Sequence, residues 1–166
     1  AYVALRMPIG NGLDWKVGVF DSIIGYESVE SGNNPNFTRS YGWSMEPQTH
    51  TGVLASYRFS DCVSAAAGIA NTTGPMINGR SHNTNGDNTP QETSKTYLGS
   101  IALTAPDSWG WAAGSTLYAG IVGGYSGSSD ILVDDEVISV DANTTSWYFG
   151  ATVATPITGL KVGAAF

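Results

Sequence analysis

The sequence has one cysteine, little charge, no basic cluster and no long hydrophobic run, and each scarcity excludes something. Cys62 alone cannot build a disulfide framework or a multi-cysteine zinc site. Charged residues make up 13% of the chain, about half of the roughly 25% usual in soluble domains. The seven Lys and Arg are scattered against 14 Asp and Glu, and a net charge of −7 without a basic patch argues against a nucleic-acid partner. The least polar long window, Gly110 to Tyr125, is interrupted by glycines, Ser115 and Thr116. It falls short of the ~20 apolar residues a spanning helix needs. Transmembrane strands are not excluded, because each needs only about 9 to 11 residues and is apolar on alternate positions. No basic leader followed by an apolar stretch begins the chain; a signal peptide would have been removed or would lie outside these residues, so export stays open.

What is present is apolar and rich in glycine and rings: 42% hydrophobic residues, 21 Gly, five Trp, eight Tyr and five Phe in 166 residues. This is the material of one ordered β-unit. Alternation begins at once, with Val3, Leu5 and Met7 on one parity, then a turn through Pro8 to Gly12. Leu13, Trp15, Val17 and Val19 then share one face, and the stretch Asp21 to His50 loses all periodicity. Strands follow at Thr51–Phe59 and Cys62–Asn71 around a turn at Ser60 and Asp61, then a polar loop from Thr72 to Ser94. Lys95–Ala105 and Trp111–Tyr125 form a third hairpin, with a loop from Ser126 to about Asn143 into which Ile131–Val133 and Val137–Val140 could extend the strands. Thr144–Thr155 and Leu160–Phe166 make the last hairpin, for eight strands in all.

Connections alternate short and long, as in outer-membrane barrels with tight periplasmic turns and long outer loops. Arg6, Asp14, Lys16, Arg58 and Lys161 all fall on the parity opposite the apolar one, with Lys95 the exception at a strand end. That parity is otherwise small, as at Ala4, Gly18, Ala66 and Gly68, while Tyr2, Trp15, Tyr97, Trp111 and Trp147 stand at strand ends like an aromatic girdle. The pattern favours an all-β, antiparallel, up-and-down transmembrane β-barrel. A secreted β-sandwich or jelly roll alternates too, and stays open as the second reading, a carbohydrate-binding module with Trp43, Trp109, Trp111 and Trp147 as its glycan platform.

Three separated elements carry a resemblance. Gly25 and Glu27, then Thr38, Arg39 and Ser40, then Thr49, His50, Thr51, Gly52 and Val53 occur in order, after a glycine-bounded hairpin. In this the chain resembles the beta-barrel porin-2 family of Gram-negative outer membranes. The resemblance implies a water-filled channel for passive diffusion of small hydrophilic solutes or ions, without a cofactor. It implies as partners outer-membrane lipid, lipopolysaccharide and the solutes themselves, and leaves a homo-oligomer open. Members of that family are expected to be longer, so residues 1–166 are expected to be an arc of a larger barrel, truncated at both ends; Phe166, a terminal aromatic after alternating Leu160, Val162 and Ala164, points the other way at the C-terminus.

If the loop at 21–50 folds into the lumen, Glu27, Arg39, Glu46 and His50 narrow the pore and face the ion path. The plainer reading is that Glu27 and Arg39 pair with each other or with the wall to pin the loop. On the wall, Arg6, Lys16, Arg58 and Lys161 outnumber Asp14, which suggests a mild preference for anions; solvated, non-selective charges are the plainer reading. Asp130, Asp134, Asp135, Glu136 and Asp141 offer oxygen ligands but lack calcium-loop spacing, and read as a solvated acidic loop. His50 and His82 have no second ligand at metal spacing, so no metal is expected. The chain has no nucleophile elbow, no His-Glu-x-x-His helix and no phosphate loop, so no enzyme is expected either.

Overall fold

The computed structural model describes residues 1–73, 82, 89–90, 92–133 and 136–166. Eight strands form one antiparallel sheet: β1 (Tyr2–Met7), β2 (Leu13–Asp21), β3 (Thr49–Arg58), β4 (Val63–Ala70), β5 (Thr96–Thr104), β6 (Thr116–Val133), β7 (Glu136–Ala154) and β8 (Lys161–Ala165). Every strand pairs with its neighbours in sequence, so the spatial order is β1 to β8 without a crossover. The sheet is open, with β1 and β8 at its two edges. Among the described residues no helix is long and apolar enough to cross a membrane.

Register turns the parity of each strand into two continuous faces. Directly opposed residues in antiparallel strands point the same way. Leu5, Trp15, Ala55, Ala67, Gly99, Ile121 and Trp147 therefore form one row, and Arg6, Asp14, Ser56, Ala66, Ser100, Gly120 and Tyr148 a row on the other face. Arg6, Asp14, Lys16, Arg58 and Lys161 all lie on this second face. The first face is apolar yet uncovered: Leu117 is 56% exposed, Trp147 61% and Tyr97 64%. A soluble monomer rarely leaves so continuous an apolar surface to water.

The described core lies on the charged face instead. Ala70, Leu98, Val122 and Tyr148 are buried there beneath Ile24, with Ile23 and Tyr118 packed at the margin. Ile24 belongs to the connection between β2 and β3, so residues 22–48 fold back over the sheet. This connection contains a short 3-10 turn (Ser31–Asn33) and one helical turn, α1 (Tyr41–Met45), whose N-cap is Ser40.

Four expectations change. Trp111 lies in a 3-10 segment (Asp107–Ala112) broken by Gly110 at φ 61°, and β6 starts only at Thr116. Residues 126–133 and 136–143, expected as a loop, are a two-stranded extension of β6 and β7, with a register shift between Tyr125 and Gly127. Lys95 precedes β5 and donates to Asn71 Oδ1 at 3.3 Å, which removes it from the strand parities. Tyr2 is not on the girdle side: it pairs with Gly18 on the charged face, its ring 5.1 Å from Lys16 Nζ.

Candidate functional site

The loop at 22–48 is held by its own backbone as much as by its side chains. Glu27 accepts hydrogen bonds from the Ser40 hydroxyl at 2.5 Å and the Ser40 amide at 3.0 Å, and so ties the first half of the loop to the entrance of α1. Ser40 Oγ in turn accepts from the Trp43 amide at 3.3 Å, the usual N-cap arrangement. The bonds from Ser40 hold the Glu27 carboxyl below its ordinary range, with Asn36 and the Arg39 charge as smaller contributors. Arg39 donates to the Ser28 and Val29 carbonyls, and its guanidinium stacks over Trp43 at 4.0 Å. Glu27 and Arg39 thus pin the loop separately: in place of a pair with each other or with the wall, Glu27 bonds Ser40 and Asn36 and Arg39 bonds backbone carbonyls within the loop.

Glu46 follows α1 and turns back toward the start of the loop. Gly25 stands at φ +103°, and a Cβ there would come within 2.7 Å of Glu46 Oε2, so the approach depends on glycine. Burial, reinforced by the Glu27 charge, raises the Glu46 carboxyl above its ordinary range. A cleft of about 230 Å³ lies between these two halves of the loop, flanked by Glu27, Trp43 and Glu46.

His50 does not face solvent. It is completely buried in β3 opposite Phe20, with Nδ1 at 3.1 Å from the Thr72 carbonyl and Nε2 at 3.1 Å from Ser22 Oγ. The expectation that it faces the ion path is corrected: the loop covers it, and its ring braces the loop's base.

The wall charges are distributed along the face rather than gathered. Arg6 bridges Asp14 at 3.2 Å, and Arg58 bridges Asp61 at 3.1 Å. Both pairs are exposed and stabilise little, though they neutralise each other's field. Lys16 lies by Tyr2, and Lys161 stands at the start of β8, opposite Ala154. Neither has a carboxylate within ion-pair distance among the described residues. Of the acidic cluster, Asp134 and Asp135 lie outside the described residues, as do the side chains of Asp130 and Asp141.

The four tryptophans of the glycan-platform reading do not share a surface. Trp43 is under Arg39 on the loop, Trp109 and Trp111 are in the turn before β6, and Trp147 is on the apolar face.

Two contacts escaped the sequence. Ile24 seats over Gly120, where a Cβ would come within 2.6 Å of its Cγ2, and Tyr118 donates its hydroxyl to the Ile23 carbonyl. Neither partner is near the loop in sequence, and a bare glycine in a strand was the one available sign of close approach.

Comparison with curated proteins and with solved structures gives no match. A family model described as putative beta-barrel porin-2, OmpL-like, matches residues 1–154, which extends the likeness from the loop motifs through β7. Gly25, Glu27, Arg39, Ser40 and His50 are the residues that shape and brace the loop. With nearly the whole chain matched, this protein belongs to the beta-barrel porin-2 family.

Proposed function

We propose that the chain is wall and loop of an outer-membrane β-barrel channel through which small hydrophilic solutes or ions diffuse passively. The observation that carries this reading is the separation of the two faces. The uncovered apolar face suits lipid, where a single Arg or Lys at mid-bilayer would cost about 2–4 kcal/mol. The opposite face bears the charges and the folded loop, and suits a wet interior. In this reading the 22–48 loop narrows the passage, Glu27 and Glu46 lie beside it, and Arg39 holds the loop's shape. The channel passes solutes without transforming them, and its partners are membrane lipid, lipopolysaccharide and the solutes. Trimers or other assemblies of the chain would follow from further contacts along the lipid-facing wall.

Reconstitution of the full-length protein into planar bilayers tests the proposal. Discrete conductance steps, with heat-modifiable migration on gels, are the expected result. A full-length protein that stays soluble and monomeric without detergent and gives no conductance would overturn it.

A further inference from the structure

On the charged face, the start of the long connection and strands β6 to β8 border an open cavity of about 410 Å³. Its sheet side is walled by Tyr118 and Tyr148, whose rings meet edge to face with centroids 5.8 Å apart. Tyr26 walls the loop side, and Thr116 and Thr152, directly opposed across β6 and β7, line the cavity too. No Lys, Arg, His, Asp or Glu lines it among the described residues.

These features select a chemistry. A carboxylate or phosphate would find no cation among the lining residues and would face the Glu46 carboxyl, whose Oε2 a Cβ on the lining Gly25 would meet at 2.7 Å. A purely apolar guest would leave the Thr116 and Thr152 hydroxyls facing it unanswered, the Tyr118 hydroxyl being already bonded to Ile23. Hydroxyls both donate and accept, and so complement a guest that carries hydroxyls itself. Tyrosine faces are weakly negative and attract the weakly positive C–H edges of a saturated ring. The bond from Tyr118 to the Ile23 carbonyl fixes one ring and packing fixes Tyr148, which is 6% exposed. Two of the three rings are therefore held before a guest arrives, and little ordering remains to be done. Tyr26, 51% exposed, is free to close on it. The volume lies within the range of small-ligand sites.

We propose that this cavity is a binding subsite for a neutral polyhydroxylated solute, a sugar of one or two rings, entering or traversing the channel. The inference rests on the channel reading and names the solute class for it.

The test uses full-length protein in detergent and in bilayers, with glucose and sucrose as probes and a polyethylene glycol of matching size as control. Calorimetry is expected to show saturable sugar binding, and bilayer current to fall saturably with sugar but only in proportion to viscosity with the polymer. Tyr26→Ala and Thr152→Val are each expected to raise the half-saturating concentration, the first by about tenfold or more. Conductance without saturable binding, or binding that both variants leave unchanged, overturns the subsite and keeps the channel. Saturable binding weakened by the variants, in a protein that never conducts, upholds the subsite and overturns the channel.

Discussion

His50 and Ser22, at the two ends of the long connection, are joined side chain to side chain: Nε2 of the ring lies 3.1 Å from Ser22 Oγ. Because Nδ1 faces the Thr72 carbonyl, that nitrogen carries the proton, and Nε2 accepts from the serine hydroxyl. Ser22 Oγ also accepts from the Ile24 amide at 3.4 Å. One buried ring therefore ties the exit of β2, the entry of β3 and the segment after β4. His50→Ala leaves a buried carbonyl and hydroxyl short of a partner and opens a cavity, at a cost of about 2–4 kcal/mol. Limited proteolysis of the detergent-folded protein is expected to cut within residues 22–48 much faster in this variant. Ser22→Ala, which removes one bond and little volume, is expected to cost about 1 kcal/mol. Unchanged cleavage in His50→Ala would remove the brace.

The seat of Ile24 on Gly120 makes a second, independent anchor. Ile24→Ala removes a side chain that is 7% exposed from the cluster with Ala70, Leu98, Val122 and Tyr148, and is expected to cost about 2–5 kcal/mol of loop attachment. Gly120→Ala puts a Cβ where Ile24 Cγ2 now lies and should loosen the loop from the other side. Because the two changes act on one contact, they do not add. The double variant is expected to be less cleaved than the sum of the singles predicts; strict additivity of the protection free energies would show that the two residues do not meet.

The strands were legible and the loop's attachment was not, for one physical reason. A strand exposes its environment on every second residue, so the runs Val3–Met7, Leu13–Val19 and Val53–Phe59 announce which side meets an apolar medium. Where alternation ends, that signal stops. The ribbon formed by residues 126–133 and 136–143 pairs across a sequence, Gly127, Ser128 and Ser129, that carries no alternation. Trp111 shares the parity of Leu117 and Ile121 in sequence, but it lies in the 3-10 segment before β6, where parity carries no information on facing. In the loop, Glu27 and Arg39 stood out as charges, but a carboxylate capping Ser40 and a guanidinium on backbone carbonyls leave no sign in the spacing. His50 was visible as a residue, whereas its burial depends on a fold-back decided by Ile24 and Gly120.

Glu27 and Glu46 give the loop opposite responses to pH. The folded Glu27 carboxyl titrates below its ordinary value of 4.5, so its contribution is present above that pH and is lost as pH falls through the folded value. The folded Glu46 carboxyl titrates above 4.5, so the folded loop is favoured when it is protonated, and that contribution is lost as pH rises through the raised value. Loop protection is therefore expected to pass through a maximum in mildly acidic solution. Glu46→Gln, neutral at every pH, should abolish the fall on the alkaline side and leave the loss at low pH in place. Glu27→Gln should abolish the acid loss and weaken attachment at neutral pH. Protease resistance measured from pH 3 to pH 8 checks both limbs, and a flat profile in the unmodified protein would rule the pair out as the titrating groups.

Charge selectivity should follow the unpaired wall cations rather than the wall total. Arg6 with Asp14 and Arg58 with Asp61 present near-neutral pairs to the solution, so removing one arginine changes the field chiefly by exposing its partner. Lys16 stands by the Tyr2 ring, and neither it nor Lys161 has a carboxylate within ion-pair distance among the described residues. In the proposed channel each would act at close range on a passing ion, whereas at physiological salt a charge more than about 8 Å away is screened. Reversal potentials across a potassium chloride gradient are expected to show weak anion preference in the unmodified channel. Lys16→Glu should turn that preference toward cations, and Lys16→Gln should bring it near neutral. Replacing Arg6 and Asp14 together by glutamine and asparagine should leave it almost unchanged. A shift from the paired replacement as large as that from Lys16→Glu would mean that the bridge is open in the conducting state and that all wall charges count alike.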